Sequence, residues 1–136
     1  MPFEAIGKAW SPRLLSVLRI LTALLLLSHG MGKHLKFPVV PQFAKLDTMS
    51  GIAGYFELAG GALLLVGLFS RPVAFILSGM CAVGYFLVHA PRGFYPILNG
   101  GEAIVLFCFV LLYIAAAGPG PWSIDARLNR KWWQWR

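Results

Sequence analysis

Four stretches of this chain are almost unbrokenly apolar, at about 14–31, 51–69, 73–89 and 101–117, and the polar residues fall between them. Each stretch makes an α-helix of roughly 26 to 28 Å, on the short side of a hydrocarbon core of about 30 Å. Lipid offers no water to bond exposed backbone N–H and C=O groups, so segments of this kind must be helical. The pattern predicts an all-α membrane protein, a four-transmembrane-helix antiparallel bundle.

Punctuation between the runs agrees. Ser11-Pro12 reads as an N-cap and first helical position for the first span. Ser70-Arg71-Pro72 reads as a tight turn with a new cap, and Gly118-Pro119-Gly120-Pro121 stops the fourth helix. Lys8 and Arg13 resemble the charged start of a signal peptide. Ser28-His29-Gly30-Met31-Gly32-Lys33 makes a poor cleavage site, however, so an uncleaved first span is expected.

Composition sharpens the class. Hydrophobic residues make up 58% and charged residues 12% of the 136, against a charged share of about 25% in soluble domains. The net charge of +7 sits between and beyond the runs, which suits anionic headgroups and not nucleic acid. One membrane domain over 1–125 is expected, followed by a basic, Trp-rich interfacial tail over 126–136. Lys8, Arg13, Arg71, Arg127, Arg130, Lys131 and Arg136 fall on the side of the termini; Lys33, Lys36, Lys45 and Arg92 fall on the other. Seven against four predicts N-in and C-in, and all five Trp lie on the terminal side.

The candidate chemistry lies in polar groups where they are costly. A charge near a helix centre in lipid costs about 2.5 to 3.5 kcal/mol on insertion scales, and Arg19 and Glu57 are the clear cases. His29 and His89 fall near the outer ends of spans one and three, Glu57 about 9 Å below the outer start of span two, and Glu102 at the top of span four. Tyr85 and Asn99 join them, with Lys33, Arg92 and Tyr95 on the same side. Small residues Ala53, Gly54, Gly60 and Gly61 flank Glu57 at helical spacing and turn it toward the bundle. An Arg19–Glu57 ion pair fits antiparallel neighbours, either as part of a site or as a structural pair. Glu102, three residues after Asn99, reads either as a capping-box member or as a site residue. The two histidines are either interfacial or functional. Cys81 and Cys108 read as small packers. The Glu-x-x-His spacing of di-iron bundles is missing, and no metal site is assigned, although His29, His89 and one Glu form a conceivable set.

Several segments resemble the DoxX family of membrane proteins. They are Gly54-Tyr55-Phe56-Glu57-Leu58-Ala59-Gly60-Gly61, Gly67-Leu68-Phe69-Ser70-Arg71-Pro72, Tyr85-Phe86-Leu87-Val88-His89-Ala90-Pro91-Arg92-Gly93-Phe94 and Asn99-Gly100-Gly101-Glu102, with Arg19 and His29-Gly30-Met31-Gly32-Lys33 in the first span. The likeness covers roughly 14–125 and implies a four-helix protein of the bacterial inner membrane. Through the DoxD relatives of thiosulfate:quinone oxidoreductases, it also implies a link to quinone chemistry. The matching positions are Arg19, Glu57, His89, Asn99 and Glu102. No segment resembles a flavin, haem or iron–sulfur attachment motif, so a redox role needs a bound quinone or a partner protein.

Three readings follow. The first is a quinone-binding subunit of an oxidoreductase system, with Arg19, His29, Glu57, Tyr85, His89, Asn99 and Glu102 as ligand-binding residues. The second is a binding or transport bundle for a small hydrophobic or lipid-like molecule, which with only four spans predicts a homo-oligomer. The third is a membrane scaffold for redox enzymes that docks through the Trp-rich tail.

Overall fold

The structure, a computed structural model, describes residues 2–128, and within them the chain is all-helical. The order is α1 (Pro2–His34), α2 (Thr48–Val66), α3 (Ser70–Gly84), the short α4 (Pro96–Asn99), α5 (Glu102–Ala117) and the short α6 (Ile124–Arg127). Three helices are long and apolar enough to cross a membrane: α1, α2 and the continuous helical run Ser70–Arg92, in which α3 passes into a π-helical turn (Tyr85–His89) and a 3-10 turn (Ala90–Arg92). α5 is apolar but shorter, at 16 residues. The expected basic tail beyond 128 lies outside the described residues.

The helix starts are not where punctuation alone puts them. α1 begins at Pro2 and runs straight through Pro12. Glu4, Ala5, Lys8 and Ala9 are good helix formers, and they carry the helix across the single backbone bond that an interior proline removes. α2 begins three residues before the expected Gly51, at Thr48, with Asp47 as N-cap accepting from Ser50 N–H at 2.7 Å. That bond holds the Asp47 carboxyl below its ordinary pKa. α2 ends in a left-handed glycine cap: Gly67 (φ 71) bonds back to Leu64 O, and Leu68 N–H reaches Leu63 O at 2.9 Å.

Antiparallel contacts set the packing. Along α1 and α2, Gly30 faces Gly54 and Leu58, Gly61 faces Ala23 and Leu27, and Gly67 faces Arg19. Small residues on both helices let the backbones approach closely. Along α3 and α5, Arg71 reaches Ala115, Ser78 reaches Cys108 and Gly84 meets Ile104. Leu77 of α3 packs on Gly60 of α2, and Phe107 of α5 on His29 of α1. The core between them is Ala23, Leu26, Leu64, Ala74, Leu77, Cys81, Leu111 and Ile114. Leu21, Leu24, Ile52, Phe56, Phe75, Leu106 and Phe109 point outward. An apolar exterior of this extent is the surface expected of a chain dissolved in lipid.

The molecule therefore has two polar ends. The loop end carries the close of α1, the start of α2, the 35–47 loop and the 93–101 connection. The terminal end carries the α2–α3 turn, the close of α5 and the segment 118–127.

Candidate functional site at the loop end

The central feature is a buried ion pair. Lys33 Nζ donates to Glu57 Oε1 at 2.9 Å, and both side chains are about nine-tenths buried. Lys33 belongs to the last turn of α1 and Glu57 to the middle of α2, beside the small residues that bring the two helices together. The second carboxylate oxygen, Oε2, is buried with no hydrogen-bond partner among the described residues. A buried charge with an unfilled acceptor position is costly unless a partner arrives to fill it.

Phe43 borders this pair. Its ring lies 5.5 Å from Lys33 Nζ, packs on Gly32, and sits 6.0 Å from the ring of His29. The 35–47 loop holds it there through Lys36 Nζ, which donates to Phe43 O at 2.8 Å. Phe43 also lines a cleft of about 260 Å³, together with Ser28, His29, Pro38, Val40 and Gln42. His29 is exposed on its wall and also meets Phe107 edge-on at 6.2 Å. His34 flanks the pair from the next position, its Nε2–H donating to Gly51 O at 2.7 Å and its ring stacked on Tyr55 at 4.0 Å.

Tyr85, His89 and Asn99 form a second group at the same end. Asn99, buried at 3% exposure, donates from Nδ2 to Tyr85 Oη (3.1 Å) and Gly93 O (2.9 Å), and accepts from Gly101 N–H at Oδ1 (2.8 Å). Tyr85 Oη donates to Phe94 O, and His89 Nδ1–H to Asn99 O. Asn99 is thus the hub that folds the 93–101 connection back on the π-helical turn, and its side chain is fully bonded within the chain. π-helical turns often accompany functional sites.

Two expectations need correction. Glu102 is exposed and takes no part in a capping box: the N-cap of α5 is Gly101, without a side-chain bond. Asn99 closes α4 instead of opening α5, so its side chain turns to Gly101 N–H and Gly93 O. Arg19, in turn, does not pair with Glu57. It lies at the terminal end, 1% exposed, donating from Nη1 to Pro119 O (2.9 Å) and from Nη2 to Trp122 O (2.7 Å). The register explains both ion-pair outcomes. Glu57 falls opposite the last turns of α1, where Lys33 is the cation in reach, and Arg19 falls opposite Gly67, past the end of α2.

Three residues that matter lie outside the candidate set expected from the sequence. Lys33 was visible as a cation on the correct side, but its partner depends on helix register. Phe43 sits in a loop without periodicity. Asp125 accepts from Phe69 N–H at 3.0 Å and Ser70 N–H at 2.9 Å, supplying the N-terminal cap that α3 lacks in its own sequence.

Comparison with known proteins places this architecture. The chain is 39% identical over 128 residues to an uncharacterized protein of Haemophilus influenzae, covering 90% of this chain and 96% of that one. It is 30% identical to inner membrane protein YqjF of Escherichia coli, over 85% of this chain and 92% of YqjF. It is 27% identical to the uncharacterized membrane protein Rv3486 of Mycobacterium tuberculosis, over 84% and 80% respectively. No solved structure matches it. The DoxX family model matches residues 14–90, over half of the chain, and with relatives aligned over nearly their whole length, this chain belongs to the DoxX family.

Proposed function

We propose that this protein is a four-span bundle of the bacterial inner membrane, N-in and C-in, that binds a quinone-class molecule at its loop end as part of a redox system. The Lys and Arg distribution supports the orientation, and the name of the Escherichia coli relative supports the membrane. In this arrangement α5 is the fourth span. Its 16 residues make about 24 Å of helix, which a locally thinned bilayer accommodates.

The observation that carries the binding reading is the orphaned Glu57 Oε2 beside Lys33, next to an aromatic-walled cleft. The residues fit a quinone head group. A quinol hydroxyl is the donor that Oε2 lacks, a ring N–H of His29 suits a quinone carbonyl, and Phe43 offers a flat apolar wall. Bound there, a quinone would supply two-electron, two-proton chemistry. The chain's part is to orient the head group, keep water out with Phe43, and hold a proton at the Glu57 carboxyl. Tyr85, His89 and Asn99 form a separate hydrogen-bonded group at the same end, and Arg19 and Glu102 fall outside this site.

The test is mass spectrometry of small molecules retained by the protein in mild detergent, with wild type, Glu57→Gln and His29→Ala compared. Retention of a quinone by wild type, reduced at least about tenfold in both variants, supports the reading. A different apolar molecule retained in a Glu57-dependent way points to the binding or transport alternative. Equal quinone content in all three proteins removes the site from Glu57.

A further inference from the structure

At the terminal end, a second cleft of about 350 Å³ is lined by Val66, Pro121, Trp122, Ser123, Ile124 and Arg127. We propose that it is a binding site for one anionic phospholipid, with the phosphate on Arg127 and Trp122 and an acyl chain lying along α2. This inference does not depend on the quinone reading.

Charge at this end leaves Arg127 unspent. Two of its neighbouring cations are consumed by backbone: Arg19 holds Pro119 O and Trp122 O, and Arg71 holds Ala115 O and Ala116 O. The nearby carboxylate is turned elsewhere, since the two Asp125 oxygens accept from Phe69 N–H and Ser70 N–H and its charge acts on Arg19. The carbonyls that close α2 are bonded by its own glycine cap. Arg127 is exposed and forms no ion pair or side-chain hydrogen bond among the described residues. A guanidinium fork matches two phosphate oxygens.

The remaining lining fits the rest of an amphipathic ligand. Trp122 is 53% exposed, and its indole N–H has no partner among the described residues. An indole at the boundary of the spans has an apolar body for the glycerol region and a donor for the phosphate. Ser123 is not free to help, because its hydroxyl donates to Gly120 O and accepts from Ala126 N–H. Val66, Pro121 and Ile124 make the floor apolar. Val66 is also the last member of an exposed stripe on α2 that includes Ile52 and Phe56 at helical spacing. A polar head group at Arg127 therefore opens directly onto a lipid-facing track. A soluble anion would use Arg127 but gain nothing from the stripe.

The experiment is native mass spectrometry of the full chain in detergent, with phosphatidylglycerol and phosphatidylcholine of identical acyl chains offered at equal concentration. Wild type is expected to bind the anionic lipid at least about fivefold in preference, equivalent to about 1 kcal/mol. Arg127→Gln abolishes the preference, Arg127→Lys retains part of it, and Arg92→Gln at the opposite end leaves it intact. Equal binding of both lipids by wild type, or an undiminished preference in Arg127→Gln, overturns the proposal. Displacement of the bound lipid by millimolar inorganic phosphate alone also overturns it, since the site would then be one for a free anion.

Discussion

At the residue scale, the Lys33–Glu57 pair and Arg19 are two different solutions to placing charge in lipid. Lys33 and Glu57 neutralise each other, and removing one partner leaves the other buried and uncompensated. Lys33→Met is expected to destabilise the protein by about 3 to 5 kcal/mol, read as a shift in unfolding equilibrium in mixed micelles. Adding Glu57→Leu to Lys33→Met should recover most of that loss. Arg19 makes no salt bridge among the described residues; two carbonyls accept from its guanidinium, each worth about 1.5 to 3 kcal/mol as a charge-assisted bond, and the Asp125 carboxylate acts on it through space. Arg19→Ala and Glu57→Ala should therefore be additive within about 0.5 kcal/mol. A coupling well above that value would mean the two side chains interact after all. The high cost of Glu57 was legible from the sequence, because a carboxylate in an apolar run needs a reason. Its partner was not, because choosing between Lys33 and Arg19 requires the α1–α2 register.

At the scale of elements, the ends of the helices are capped by residues far away in the chain. Asp125 begins α3, Arg71 finishes α5 and Arg19 secures the 119–122 turn. Gly67 lies where these meet: its φ is positive, and a Cβ there would collide with Arg19 Nη1 and the Cβ of Ser123. Gly67→Ala should cost more than about 2 kcal/mol, beyond the roughly 1 kcal/mol of a left-handed conformation alone. The same unfolding measurement in a Gly67→Ala, Ser123→Gly background should recover part of it. The start of α2 answers to pH instead. The Asp47 pKa is lowered by folding, so its contribution is present above the unfolded carboxylate range near pH 4 and is lost as pH falls through the lowered folded value. Amide-exchange protection at Ser50, corrected for intrinsic rate, should drop over that acid window in wild type. It should lack the drop in Asp47→Ala.

For the whole molecule, the two polar ends differ in kind. The terminal end is interlocked, with α1, the α2–α3 turn, α5 and α6 joined by hydrogen bonds to backbone groups. The loop end holds an ion pair with one open oxygen, a cleft, and the 35–47 loop, whose Phe43 borders both. Long-range hydrogen bonds to backbone mark the terminal end, and a buried carboxylate oxygen without a partner among the described residues marks the loop end. With N-in and C-in topology, single cysteines placed at Lys45 and Arg92 in a Cys81→Ala, Cys108→Ala background should react with a membrane-impermeant maleimide in spheroplasts, whereas one at Arg127 should react only after permeabilisation. The reverse pattern would invert the orientation and put the Lys33–Glu57 site on the cytoplasmic side.

The sequence by itself determined the class of solvent, the apolar helices and the residues whose burial would be costly. Those follow from composition and periodicity, which act locally along the chain. It also held enough motif to mark the family. Tertiary structure alone decided which charges meet, because pairing depends on how far one helix slides past another, and the small-residue contacts of Gly30, Gly54 and Gly61 set that register. It also decided where residues 118–127 go. A Gly-Pro segment has no hydrophobic period to read, and its place under the bundle comes from the acceptors it offers Arg19 and the carboxylate it lends to α3.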